Sequence, residues 1–235
     1  MTYFDLGPYS RKITTSSQDA QIWFDRGLNW LFGFNHYEAI KCFQKALGHD
    51  GECAMAHWGI SYASGPNYNL PWVRYDPLGR QMALSASWNA MQTALAHAGK
   101  ASPVEQAMIK ALTARYPQRE AIDDMSPWDK AYTAEMRKIF AAYPDDLEVR
   151  AVLAESIMNE TPWQMWDLPS GKPAEGAGTE ECRAVLEYAL ERIPAAWDHP
   201  GLLHLYVHLM EMSPFPQRAL RAGDRLRELV PDSGH

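Results

Sequence analysis

Helical periodicity recurs along almost the whole chain, and it recurs in pairs. Over QDAQIWFDRGLNWLF (18–32), Ile22, Trp23, Leu28, Trp30 and Leu31 fall at helical spacing, and Ser17 stands where an N-cap hydroxyl is needed. After a break at FN, HYEAIKCFQKALGHD (36–50) carries Ile40, Phe43 and Leu47 on one stripe. Further pairs follow: 52–64 with 78–98, 102–116 with 127–143, 145–159 with 179–193, and 200–212 with 216–230. Proline and glycine punctuate nearly every junction, and no period-2 alternation persists from which a sheet could be built. These features predict an all-α chain of about five helical hairpins. Residues 1–17 form a polar lead-in, 18–230 one helical-repeat domain, and 231–235 a short end.

Tandem hairpins suggest a solenoid. In residues 20–53, Trp23, Gly27 and Trp30 on the first helix meet Ala39, Phe43 and Ala46 on the second. Small residues at a crossing let two backbones approach while bulky neighbours fill the gap. This stretch resembles a tetratricopeptide repeat (TPR), with Gly51 where that pattern usually has proline. Gly59 and Tyr62 repeat the Gly27/Trp30 spacing, and Ala219 can take the part of Ala39. The chain also resembles a mostly bacterial set of longer TPR-containing proteins, through ITTSSQDAQIWFDRGLNWLFGFNHYEAIKCFQKAL, GPNYN, and HPGLLHLYVHLMEMSP with PDSGH. The resemblance implies a right-handed TPR-like solenoid and, if the relatives run further, a shortened chain. It implies no activity.

The TPR register implies a concave groove lined by the first helix of each pair. In the first hairpin the groove residues are Phe24, Leu28, Leu31 and Phe32. In the last they are His204, His208, Glu211 and Met212, and in the fourth Ala151, Glu155, Met158 and Asn159, so that Glu155 and Asn159 are expected beside the two histidines.

The spacing of His204, His208 and Glu211 puts all three on one helical face. Two histidines four apart and a carboxylate one turn on can hold a divalent metal ion, with Glu155, His199 or His235 completing the set. The HExxH and ExxH strings of known metal helices are absent. The same residues can instead form a polar wall for a peptide or small ligand, or satisfy one another at a rim. A second candidate is the loop GPNYNLPW, with Asn67, Tyr68 and Asn69. It reads more readily as a turn whose asparagines cap helix ends. Trp163 and Trp166 are expected to cover the edge of the array.

Composition narrows the function classes. Twenty-two basic against 29 acidic residues leave a net charge of −7 with no basic cluster, which disfavours a nucleic-acid partner or an anionic membrane. Cys42, Cys53 and Cys182 form no CxxC pair and read as reduced thiols in a cytoplasmic protein. The start has no apolar signal-peptide core, and no apolar run is long enough to span a bilayer. No nucleophile elbow or phosphate loop appears. Two functions stand: an interaction module binding a protein segment or small ligand in its groove, or a metal-dependent protein using His204, His208 and Glu211. Leu220, Leu226, Leu229 and Val230 would leave an apolar edge on the last helix, which could pair two copies.

Overall fold

A computed structural model describes residues 3–233. Among them are ten α-helices: α1 (Gln18–Phe32), α2 (His36–His49), α3 (Ala54–Ser64), α4 (Pro77–His97), α5 (Pro103–Arg115), α6 (Ser126–Ala142), α7 (Leu147–Glu160), α8 (Thr179–Arg192), α9 (Pro200–Glu211) and α10 (Leu220–Leu229). The helical expectation holds in every segment, with ends moved by a residue or two. The largest shift is in the last helix, whose first turn is a 3-10 segment, Pro216–Ala219. Among the described residues the strand pairing beyond an isolated Asn67–Leu70 bridge is a short ribbon, Trp166–Asp167 against Lys172–Pro173, in the long loop after α7. No helix of the described residues is long and apolar enough to cross a membrane.

Local chemistry sets the boundaries. Ser17 Oγ accepts from Ala20 N, Asn35 caps α2, Asp76 caps α4 and Asp146 caps α7. Ser102 and Glu105 form a capping box on α5. Proline opens α4, α5 and α9, where its missing N–H costs nothing. The hairpin crossings are close. A Cβ on Gly27 would lie 2.5 Å from the Phe43 ring, and one on Gly59 would lie 2.7 Å from it, so Phe43 is clamped between α1 and α3.

The array does not leave an open groove. α1 packs on α3, α3 on α5, α5 on α6, α6 on α7 and α7 on α9, and α9 then returns to α1. At that return a Cβ on Gly201 would lie 2.4 Å from Phe32 Cδ1. α7 fills the middle, with every residue from Glu148 to Met158 buried. A helix buried on all faces is an interior helix, not one wall of a channel. Phe24, Leu28, Leu31 and Phe32, expected to wall a groove, are therefore core, at 0%, 0%, 2% and 4% exposure.

The lead-in contributes to this closure. It runs back along α1 and ties the first hairpin to the later ones: Thr14 to Glu105, Arg11 to Asp146 and Tyr9 to Glu148. Asp5 and Asp232 exchange hydrogen bonds, and Gly7, at φ +72°, sits where a Cβ would collide with the Leu229 carbonyl. Leu226, Leu229 and Val230, expected at an exposed edge, are buried, the last two where Gly7 of the lead-in lies against them; Leu220 alone of the four is exposed, at 66%.

Candidate functional site

His199 caps α9 through its Nδ1, which accepts from Leu202 N, and Pro200 opens the helix. Two turns on, His204 and His208 face one side with Glu211, as their spacing requires. Together with Val207 they line one wall of a cavity of about 480 Å³. The opposite wall is α10 and its approach, with Pro216, Ala219, Leu220, Gly223 and Leu226, and Asp224 and Arg227 complete the lining. This volume falls in the range of small-ligand pockets, roughly 300–1,000 Å³.

Hydrogen bonds set the tautomers of these histidines. His204 Nδ1 lies 2.5 Å from the Phe32 carbonyl, an acceptor only, so Nδ1 carries the proton and donates. His208 Nδ1 donates to Glu211 Oε1 at 2.8 Å. His208 Nε2 is buried without a hydrogen-bond partner.

Three loops bring aromatic rings to His208. Phe34, just after α1, stacks on it with centroids 5.4 Å apart and planes 13° apart. Tyr68, from the GPNYN loop after α3, lies at 5.5 Å, and Trp163, after α7, meets it edge-on at 6.5 Å. Tyr68 and Trp163 stack on each other at 5.4 Å. Phe34 and Trp163 have φ of 55° and 63°, and among the described residues no other non-glycine has a positive φ. Left-handed backbone at such residues costs on the order of 1–3 kcal/mol each and concentrates at functional sites. Here both outliers aim a ring at the same histidine.

The remaining expected site residues divide. Asn67 does what a turn asparagine does: its Oδ1 accepts from Asn69 N and Leu70 N. Asn69 is exposed. Glu155 does not join the α9 histidines as expected. It faces α3 and accepts from the Tyr62 hydroxyl at 2.7 Å, because α7 lies inside the array and presents this side to α3 and α5. Asn159, half-buried, sits one turn further along α7.

Among the described residues no three His, Cys, Asp or Glu side chains are grouped so as to hold a metal ion. His199 is committed elsewhere, with Nε2 3.4 Å from Glu148 Oε1. His235, the other candidate ligand, lies outside the described residues.

Two clusters escaped the sequence reading. Around the start of α7, buried Glu148 accepts from Tyr9 Oη at 2.6 Å and faces His199 and Arg11, while Arg11 also forks onto Asp146. His199 and Arg11 hold the Glu148 carboxyl below its ordinary range against the opposing effect of burial. Tyr9, Arg11, Asp146 and Glu148 line a surface cavity of about 740 Å³. Near the end of α7, Arg115 lies among Tyr62, Tyr116 and Tyr132. His36, next to it, donates from Nδ1 to the Ala63 carbonyl at 3.0 Å, and burial pulls its pKa down to about 4, so it is neutral. Neither cluster has a local signal: the Arg11–Asp146 pair is separated by 135 residues.

Comparison with protein-family models, curated proteins and solved structures finds no match to this chain.

Proposed function

We propose that this chain is a binding module, a TPR-like right-handed array of hairpins that takes a small ligand, or one side chain of a partner segment, into the cavity between α9 and α10. The observation that carries this reading is His208. It lines the cavity, its ring is oriented by Glu211, and three aromatic rings hold it in place. A ligand suited to this lining is mainly apolar and carries a polar group toward Glu211, Asp224 or Arg227. The Gly27–Phe43–Gly59 clamp supports the TPR-like reading of the first hairpins.

Gly223 provides the test. A Cβ there would lie 3.8 Å from Val207 Cγ2, an ordinary contact, and a longer side chain would extend into the cavity. Gly223→Leu is expected to leave stability unchanged or raise it by up to about 1 kcal/mol, since glycine is costly inside a helix. Ligand-observed NMR with a fragment library should give hits on the wild type that disappear in Gly223→Leu and weaken in His208→Ala. Hits that persist in both variants would remove the cavity from consideration.

A further inference from the structure

Residues 5–14 of the lead-in form no helix or strand, yet they lie on the body in an ordered way. From Tyr9 to Thr14 burial alternates: Tyr9, Arg11 and Ile13 turn inward, while Ser10, Lys12 and Thr14 are exposed. Period-2 alternation marks an extended segment resting one face on a surface. Its main chain is read by side chains of the body rather than by a backbone ladder. Gln21, Asp25 and Asn29, four apart on α1, form one stripe. Gln21 Oε1 accepts from Ile13 N at 3.0 Å, and its Nε2 donates to the Arg11 carbonyl at 2.8 Å. Asp25 Oδ1 accepts from Arg11 N at 3.1 Å, and Asn29 Nδ2 donates to the Tyr9 carbonyl at 3.2 Å. From α5, Glu105 Oε1 accepts from Thr14 N at 2.8 Å.

The inward side chains have fitted partners. Tyr9 donates to Glu148 at 2.6 Å and packs beside Phe32 and His199, with ring centroids 6.4 and 4.6 Å away. Arg11 forks onto Asp146 at 2.7 and 3.0 Å, and Ile13 is buried. Main-chain reading with side-chain pockets at alternate positions is how proteins hold extended peptides. The groups that do the reading lie on the body, so the surface is the same whichever copy of the segment fills it.

We infer that this surface is a peptide site for an extended segment of the pattern Tyr-x-Arg-x-Ile, filled in cis by residues 5–14, and that its partner is the same segment of a second copy of the chain. Exchange of an identical element between copies needs a connection free of regular structure, and residues 14–17 provide one. In a lone chain the tethered segment wins, because its effective concentration is on the order of millimolar. Charge selects the occupant: Asp25, Glu105, Asp146 and Glu148 all face the segment, which suits Arg11 and repels an acidic peptide. None of these residues lines the α9–α10 cavity, so the two readings fail separately.

Fluorescence polarisation with a labelled peptide of residues 3–15 tests the site on full chains. Two hosts carry a weakened segment of their own above an unaltered surface. Gly7→Val strains a backbone at φ +72° and drives a Cβ into the Leu229 carbonyl, and Arg11→Ala removes the fork onto Asp146. Loss of fold in one host leaves the other to decide. The peptide should bind each host about tenfold more tightly than wild type, whose own segment competes. A peptide carrying Arg11→Ala should bind each host about tenfold more weakly than the native peptide. Sedimentation of wild type at about 1 mM, the scale of the effective concentration, should show dimers that excess native peptide disperses. A peptide that binds neither host, binds hosts and wild type alike, or is indifferent to Arg11 would overturn the proposal. So would a wild type that stays monomeric at that concentration, or dimers that the peptide leaves intact.

Discussion

Glu148 and Glu155 lie seven residues apart on α7, two turns along one face of a helix buried on all sides, and their surroundings push them in opposite directions. Glu148 has His199 at 3.4 Å, Arg11 at 3.4 Å and the Tyr9 hydroxyl at 2.6 Å, and its pKa is lowered. Glu155 has the Tyr62 hydroxyl at 2.7 Å and an arginine beyond ion-pair distance, and its pKa is raised. Burial is equal, so the difference lies in whether opposite charge was brought within reach. Around Glu148 the lead-in supplies that charge by bringing Arg11 within ion-pair distance, although Arg11 Nε, Glu148 Oε1 and His199 Nε2 are buried without a hydrogen bond. Around Glu155 the nearby arginine, Arg115, lies among three tyrosine rings and forms no ion pair with it.

The largest expected effect breaks the paired end. Glu148→Gln removes the charge that Arg11 and His199 share and should cost about 2–3 kcal/mol, the worth of hydrogen bonds to a buried charged group. Urea unfolding at pH 7 measures it. The pH dependence has a definite sign. A carboxyl whose pKa is lower in the folded than in the unfolded state stabilises above the unfolded value, 4.5 for glutamate, and loses that contribution as pH falls through the folded value. Asp146, likewise lowered by Arg11, adds to the same window. Wild type should therefore lose stability on acidification below about pH 4.5 more steeply than Glu148→Gln. Equal slopes would mean the Glu148 charge is not what ties α7 to the lead-in.

Next comes the contact that returns the array to its first hairpin. Gly201→Val puts atoms into the Phe32 ring, 2.4 Å from where a Cβ would stand, and should cost about 1–3 kcal/mol by overpacking. Gly48→Ala is its control. Nothing lies within 4 Å of a Cβ there, so this helical glycine should gain up to about 1 kcal/mol on substitution. Were Gly201→Val as benign as Gly48→Ala, the α1–α9 junction would be loose and the interior of α7 more accessible than its burial indicates.

How far the sequence reaches depends on the range of the interaction. Helices are encoded by periodicity and caps within one segment, so Ser17, Asn35, Asp76 and Pro200 mark their boundaries legibly. The His204–His208–Glu211 face is likewise local, and the three do line one cavity. The closure of the array is not local. It rests on Arg11 meeting Asp146 and Phe32 meeting Gly201, and neither pair has a spacing rule. A repeat register therefore placed Phe24, Leu28, Leu31 and Phe32 on an open wall when α7 and the lead-in cover them. Glu155 was placed on the correct helix, but facing α9 rather than α3, because a register counts along the helix and not around a closed circuit. Arg115 carried no signal at all, since a terminal helical arginine is ordinarily a solvated cap of the helix dipole.

The smallest effect has the opposite sign from the first, and it separates the two glutamates most sharply. Glu155→Gln keeps an oxygen to accept from Tyr62 and removes a carboxyl whose folded pKa lies above the unfolded value. Such a group penalises folding once the unfolded chain ionises: the penalty is absent below about pH 4.5, where both states hold the proton, and grows as pH rises toward the folded value. Removing it should leave stability unchanged at pH 4 and change it by no more than about 1 kcal/mol at pH 8, in the stabilising direction, because a neutral amide is less costly to bury than a carboxylate. Chemical denaturation of the two variants side by side at these two pH values gives the comparison directly. If Glu155→Gln loses as much at pH 8 as Glu148→Gln does at pH 7, then Glu155 is ionised and paired with Arg115 in solution. In that case the two turns of α7 carry the same kind of structural ion pair.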